Sequence, residues 1–254
     1  MPSAKRERQK AGRAARQEAV RAAEQRRHRQ RRMVTLGIIL FVFAVFLVSR
    51  ALSGGDDKKT PEVAATTGAA APCPKLKDQA RRDSFPVPQR NCIKTSKTYI
   101  AKVTTDAGAF TMELDNKRSP TTVNNFVVLA RYHFYDGLTF HRVVKDFVIQ
   151  GGDPKGDGSG DAGYKFGDEG LDGVTYPAAS VAMANSGPNT NGSQFFVVLT
   201  DSGGKGLQPL YNRFGTVTEG MDVVKKIGAE PGVVGTDQPP ATVHKILSIE
   251  IEEH

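Results

Sequence analysis

Phe140-His141-Arg142-Val143-Val144-Lys145-Asp146-Phe147-Val148-Ile149-Gln150-Gly151-Gly152-Asp153 carries the architecture of this 254-residue chain. Two runs, 138–144 and 147–150, are rich in β-branched and aromatic residues and are broken by Lys145-Asp146. Each is too short for a stable helix and reads as a strand, and the pair runs out into Gly151-Gly152. Met183-Ala184-Asn185-Ser186-Gly187-Pro188-Asn189-Thr190-Asn191-Gly192-Ser193-Gln194-Phe195-Phe196 repeats the pattern farther along. There, strand-like runs at 180–184 and 194–200 enclose a loop of Asn, Ser, Gly and Pro.

The flanking sequence continues in the same style. Residues 99–105 and 109–115 surround Asp106-Ala107-Gly108, a hairpin turn, with Phe110, Met112 and Leu114 alternating onto one face. Strands are also expected at 214–218 and 244–251, the latter with Leu247, Ile249 and Ile251 alternating. Ser119-Pro120 opens a helix as N-cap and first-turn proline, and Val123, Phe126, Val127 and Ala130 keep helical spacing until Asp136-Gly137. A shorter helix is expected at 219–228, with Val223, Val224 and Ile227 on one side. Many short strands and two helices in about 160 residues predict a mainly β domain, 98–254, built as a closed, mostly antiparallel β-barrel.

The charge lies elsewhere. Residues 1–32 hold twelve Lys and Arg against three Glu, a net +9 within a chain of net +8, so everything after them is nearly neutral. This basic tail lacks aromatic residues for base stacking and abuts an apolar run, so it reads as a cytoplasmic topology signal touching lipid rather than as a nucleic-acid binder. The run itself, from Met33 to Ser49, has seventeen uncharged residues ended by Arg50. At about 1.5 Å per residue it nearly crosses a bilayer core, and flanking arginines extend its reach. Residues 33–50 are therefore expected to form one transmembrane signal-anchor helix; cleavage near Ser53, releasing a secreted form, is the alternative. The basic excess before the span places the N-terminus in the cytoplasm and the domain outside it, at the cell membrane. Residues 51–97 read as an extracytoplasmic linker containing the only cysteines, Cys73 and Cys92. An oxidising compartment permits a disulfide between them, two free thiols being the alternative.

Familiar catalytic constellations are thin. The five histidines show no metal-ligand spacing, no serine sits in a nucleophile elbow, and the domain has no cysteine, so neither metal nor cofactor is expected. Gly158-Ser159-Gly160-Asp161-Ala162-Gly163 fits the bare dinucleotide fingerprint, but no apolar helix follows and Asp153, Asp157 and Asp161 would repel a pyrophosphate. It reads as a surface loop. Those aspartates are spaced by four, not by two as a calcium loop requires.

The two stretches quoted above, in order and spacing, resemble the signature blocks of the cyclophilins, with Phe214-Gly215 following where that family places its next strand. The resemblance spans roughly 98–252 and implies an eight-stranded antiparallel barrel capped by two α-helices, with peptidyl-prolyl cis-trans isomerase activity. Arg142 matches the family's catalytic arginine, and Phe147 and Phe196 match its proline pocket. Gln150, Ala184, Asn185 and Gln194 match groove positions, and Leu207 and Tyr211 fall near two further pocket positions, offset by two extra residues around 202–206. Val148 stands where well-known members carry Met, and Tyr211 replaces a commoner histidine, as bacterial members often do. The family's frequent tryptophan is absent and Gly206 takes its place, which implies weak cyclosporin binding.

These residue types suit the chemistry. An X-Pro bond rotates over an amide-resonance barrier of about 18–20 kcal/mol. Lowering it requires no nucleophile, only tighter binding of the twisted amide than of either planar isomer. Phe147, Phe196 and Leu207 can hold the proline ring, Gln150 and Asn185 can bond the flanking backbone, and Arg142 can donate to the proline nitrogen once twisting frees its lone pair. The expected partners are proline-containing unfolded or partly folded polypeptides and, through the apolar run, the lipid bilayer. A non-catalytic proline-peptide module or holdase is the competing reading; it leaves Arg142 without a purpose.

Overall fold

The computed structural model describes residues 69–75, 79–230 and 240–254. The order is β1 (Tyr99–Thr105), β2 (Gly108–Leu114), α1 (Pro120–Arg131), β3 (Arg142–Val144), β4 (Val148–Gly151), β5 (Ser180–Met183), β6 (Phe195–Val198), α2 (Asp201–Lys205), β7 (Arg213–Glu219), α3 (Met221–Gly228) and β8 (Ile246–Glu253). The strands form one antiparallel sheet in the order β3-β4-β6-β5-β7-β2-β1-β8. The sheet curls but has no ladder between β3 and β8, where a closed barrel is expected from the sequence. Its lip is joined by the segments entering those strands: Ile246 N–H donates to Leu138 O at 2.8 Å and Phe140 N–H to His244 O at 3.0 Å. The register of the Thr139–Lys245 bridge would set Arg142 against Thr242, which precedes β8, so β3 runs past its neighbour's start.

Inside the curl, Tyr99, Ala101, Val103, Phe110, Met112 and Leu114 are all buried, as period-2 alternation along β1 and β2 requires. β8 breaks that alternation. A bulge opposite Thr104 and Thr105 brings Ile246 inward and leaves Leu247 exposed, so of the expected Leu247–Ile249–Ile251 face only Ile249 and Ile251 pack against the core.

α1 packs on β7 and β8, and α3 on β2, β3 and β4. At the start of α1, Ser119 does not cap with its side chain but donates from Oγ to Arg213 O at 2.8 Å. The cap comes from the Glu169 carboxylate, which accepts from Thr121 N at 3.2 Å and Thr122 N at 2.5 Å and sets a negative charge at the helix's positive end. The helix stops at Arg131 rather than near Asp136 because His133 turns left-handed (φ 55°). His133 N–H then bonds Ala130 O and Phe134 N–H bonds Leu129 O, a Schellman closure with His in the usual glycine position. α2 goes unseen in the sequence because Asp-Ser-Gly-Gly-Lys has poor helix propensity. It is held by Thr200, whose Oγ1 accepts from Gly203 N at 3.0 Å, and by contact: a Cβ at Gly204 would lie 1.6 Å from Tyr176 O.

The expected transmembrane helix at 33–50 lies outside the described residues. Among the described residues no helix is long and apolar enough to cross a membrane. The described part of the expected linker, though free of helix and strand, seats Ala71, Phe85 and Ile93 in the main core. Within it, Cys73 and Cys92 are joined in a disulfide with Cα atoms 5.3 Å apart.

Candidate active site

Strand register builds the site. Arg142 pairs with Gln150 across β3–β4, Gln150 with Phe196 across β4–β6, and Phe196 with Ala182 across β6–β5. Directly paired residues share a face, so these four side chains form one row. The adjacent row, Val143, Ile149, Val197 and Val181, points into the main core. The first row therefore lies on the sheet's other face. There Val148, Val174, Tyr176, Ala182, Phe196 and Val198 make a second buried cluster, with Phe147, Ala184, Leu207 and Tyr211 packed against it.

A cleft of about 530 Å³ opens above this cluster. Its lining includes Arg142, Phe147, Val148, Gln150, Ala184, Asn185, Phe196, Leu207 and Tyr211, nine of the ten groove and catalytic residues singled out from the sequence. Gln194 lines a smaller, polar cleft of about 140 Å³ beside it, which shares Gln150, Ala184 and Asn185. The floor is apolar: Val148 and Phe196 are buried, and the Tyr211 ring meets Phe196 edge-on at 5.4 Å. Phe147 is presented by the β3–β4 turn, where Asp146 is left-handed (φ 59°) and Phe147 N–H returns to Val144 O at 3.0 Å.

The polar side is a relay of amides. Arg142 Nη1 donates to Gln150 Oε1 at 3.2 Å, and Gln150 Nε2 donates to Gln194 Oε1 at 2.9 Å. Gln194 Nε2 in turn donates to Gly158 O and Gly160 O at 2.9 and 2.8 Å. The glycine loop that mimics a dinucleotide fingerprint thus serves as wall and acceptor. It is wound around Asp153, whose buried carboxylate accepts from the backbone of Lys155, Asp157 and Gly158. Across the cleft, Asn185 Nδ2 donates to Leu210 O at 2.8 Å and secures the segment carrying Leu207 and Tyr211.

Two residues, one in the cleft and one beneath it, are not legible beforehand. Tyr176, buried beneath the floor, donates its hydroxyl to Tyr211 O at 2.8 Å and accepts from Tyr211 N at 3.0 Å; no motif marks it. His141 lines the cleft beside Arg142, and burial lowers its pKa despite the opposing carboxylates of Asp153 and Asp157. Its position inside the Phe-His-Arg block is the only signal that could have found it. At neutral pH the cleft therefore combines the Arg142 cation, a neutral imidazole and the Asp157 carboxylate, whose pKa is lowered by hydrogen bonds from Ser159. Among the described residues no group of three or more His, Cys, Asp or Glu could hold a metal.

Comparison with known proteins places this geometry. The family model for the cyclophilin type peptidyl-prolyl cis-trans isomerases matches residues 100–251, more than half of the chain. An Arabidopsis thaliana protein, peptidyl-prolyl cis-trans isomerase CYP18-2, is 43% identical over 146 residues, covering 56% of this chain and 85% of the relative. A Mycobacterium tuberculosis protein, probable peptidyl-prolyl cis-trans isomerase B, is 38% identical over 204 residues, covering 73% of this chain and 65% of the relative. The crystal structure of a Cryptosporidium parvum cyclophilin type isomerase superposes with a TM-score of 0.56 at 30% identity, covering 61% of this chain and 98% of that one. A second crystal structure of that protein, obtained in the presence of the dipeptide Ala-Pro, gives 0.55 at 31%, covering 60% and 98%. The chain belongs to the cyclophilin type peptidyl-prolyl cis-trans isomerase family.

Proposed function

We propose that this protein accelerates cis/trans rotation of X-Pro bonds in exported polypeptides, at the outer side of the membrane that residues 33–50 span. The observation that carries the proposal is the row Arg142–Gln150–Phe196, which sets a guanidinium beside an apolar floor within one cleft. Phe147, Phe196 and Leu207 take the proline ring, and Gln150 and Asn185 bond the peptide backbone on either side. The amide relay holds one edge of Arg142, so the guanidinium need not reorganise when the substrate twists. As the imide leaves planarity, its nitrogen lone pair becomes an acceptor for Arg142, a bond that neither planar isomer can make. That is binding selective for the transition state, and it involves no covalent step.

The position given by resemblance to the family's tryptophan is Gly206, which follows α2 and offers no indole to a bound macrocycle. Cyclosporin is therefore expected to bind weakly while turnover is retained. The test is NMR exchange spectroscopy on an Ala-Pro peptide with catalytic amounts of the full chain. Exchange cross-peaks that grow in proportion to protein and persist with cyclosporin support the proposal. Saturable peptide binding without exchange enhancement would replace it with the proline-peptide module. For the location, membrane fractionation with the mass of the mature chain separates an uncleaved anchor from cleavage near Ser53.

A further inference from the structure

The loop that walls the cleft is held from outside the isomerase fold. Phe85, only 1% exposed, sits among Tyr132, Phe134 and Tyr164 at ring-centroid distances of 5.5, 6.5 and 6.5 Å, with the Arg82 guanidinium 4.9 Å above its ring. Its N–H donates to Ala162 O at 2.7 Å, and Arg82 N–H donates to Tyr132 O at 2.9 Å. Gly163 (φ 103°) runs so close that a Cβ there would lie 2.5 Å from Phe85 O. The Cys73–Cys92 disulfide closes the segment containing both anchors. Its two ends are also fixed, by Tyr132 Oη donating to Pro72 O at 2.7 Å and by Cys92 N–H donating to Asn124 Oδ1 at 2.7 Å.

The far side of the same loop faces the relay. The Gln194 amide nitrogen donates to two loop carbonyls, Gly158 O and Gly160 O, so its oxygen must face Gln150. Gln150 must then offer its nitrogen to Gln194 and its oxygen to Arg142. The polarity of the relay is set by where the loop carbonyls lie. Displaced carbonyls would let Gln194 turn, and Gln150 would then offer an NH2 group to a guanidinium that can only donate.

We propose that the disulfide-closed strap, through Phe85, is a positioning element for the isomerase reaction: by holding 162–164 it fixes the relay so that Gln150 presents an acceptor to Arg142. The inference rests on the function proposed above. Its test compares the full chain with Phe85→Ala, with Phe85→Leu as the conservative rescue and with the Cys73→Ser/Cys92→Ser pair. Ile249→Val on β8 serves as a control that destabilises away from the loop. Exchange rates are measured with the Ala-Pro peptide well below each melting temperature, and side-chain amide resonances of Gln150 and Gln194 are recorded without substrate.

Phe85→Ala and the double serine variant are expected to lose turnover by roughly 2- to 30-fold, the range for coupling through a packed network. Peptide affinity should fall by clearly less than turnover, because the apolar floor that holds the proline ring is untouched and only the Gln150 contact to the peptide backbone is disturbed. Both glutamine resonances should shift, Phe85→Leu should recover most of the rate, and the control should leave rate and resonances in place. Lowered melting temperatures with unchanged turnover and unchanged glutamine resonances would overturn the inference. Should Phe85→Ala not fold, the double serine variant decides by the same two readouts. If the unaltered chain shows no isomerase activity, the proposed function fails, and the resonances alone decide whether the strap sets the relay.

Discussion

Removing one oxygen from Tyr176 should loosen the substrate cleft without touching its lining. Tyr176→Phe deletes the hydroxyl that donates to Tyr211 O at 2.8 Å and accepts from Tyr211 N at 3.0 Å. Tyr176 is 3% exposed, so the ring stays in place and only the two bonds are lost. Each contributes about 1 kcal/mol net, and leaving both Tyr211 backbone groups short of a partner puts the cost at roughly 2 kcal/mol. In a domain of this size that lowers Tm by roughly 4–8 °C. The edge-on packing of Tyr211 against Phe196 should weaken as well. Thermal unfolding followed by circular dichroism and steady-state kinetics on a proline peptide read the two effects. KM should rise severalfold while kcat changes little, since Arg142 and its relay are elsewhere. A Tm within about 1 °C of the original with unchanged KM would refute the claim that Tyr176 braces Tyr211.

Other expectations follow from the same structure. His141, whose pKa is lowered by burial, is neutral in both states above the unfolded value of about 6.5. As pH falls below that value the unfolded chain takes up a proton that the folded site resists, so stability present at neutral pH is lost as pH drops through the folded pKa. Both stability and kcat/KM should decline on the acid side, and His141→Gln should flatten that limb; an unaltered limb in the variant assigns the titration elsewhere. Gly204→Ala would press a Cβ to 1.6 Å from Tyr176 O and should cost at least about 1–3 kcal/mol by thermal unfolding, whereas an unchanged Tm would mean that α2 moves freely. Leu247→Lys should change stability by less than about 0.5 kcal/mol, because the bulge exposes that side chain. A loss comparable to that from Ile249→Ala would restore Leu247 to the core.

Much of this molecule can be read from local pattern, and the misreadings have identifiable causes. β1 carries unbroken alternation over seven residues, and its expected and observed bounds coincide. Leu247 misleads because a bulge shifts the side-chain parity of β8, and one extra residue leaves no trace in hydrophobic periodicity. Ser119-Pro120 marks the start of α1, yet its cap is Glu169, far along the chain. The end of α1 is set by a left-handed His133 where sequence rules look for glycine. In the site, Arg142, Phe147, Gln150 and Phe196 are legible because two contiguous blocks hold them. Tyr176 acts through a hydroxyl that only tertiary contact aims at Tyr211. Phe85 lies in the stretch 51–97 that reads as a linker, and its burial depends on Tyr132, Phe134 and Tyr164, which arrive from the domain.

The central claim is that Arg142 grips the twisted imide more strongly than either planar isomer. Arg142→Ala, measured by exchange spectroscopy and by titration with the same Ala-Pro peptide, separates the two kinds of binding. Turnover should fall by about 10²-fold or more, the scale for losing one preorganised donor to a transition state, while Kd moves only a few-fold. Turnover equal to that of the unaltered chain, or a loss matched by an equal rise in Kd, would contradict the account.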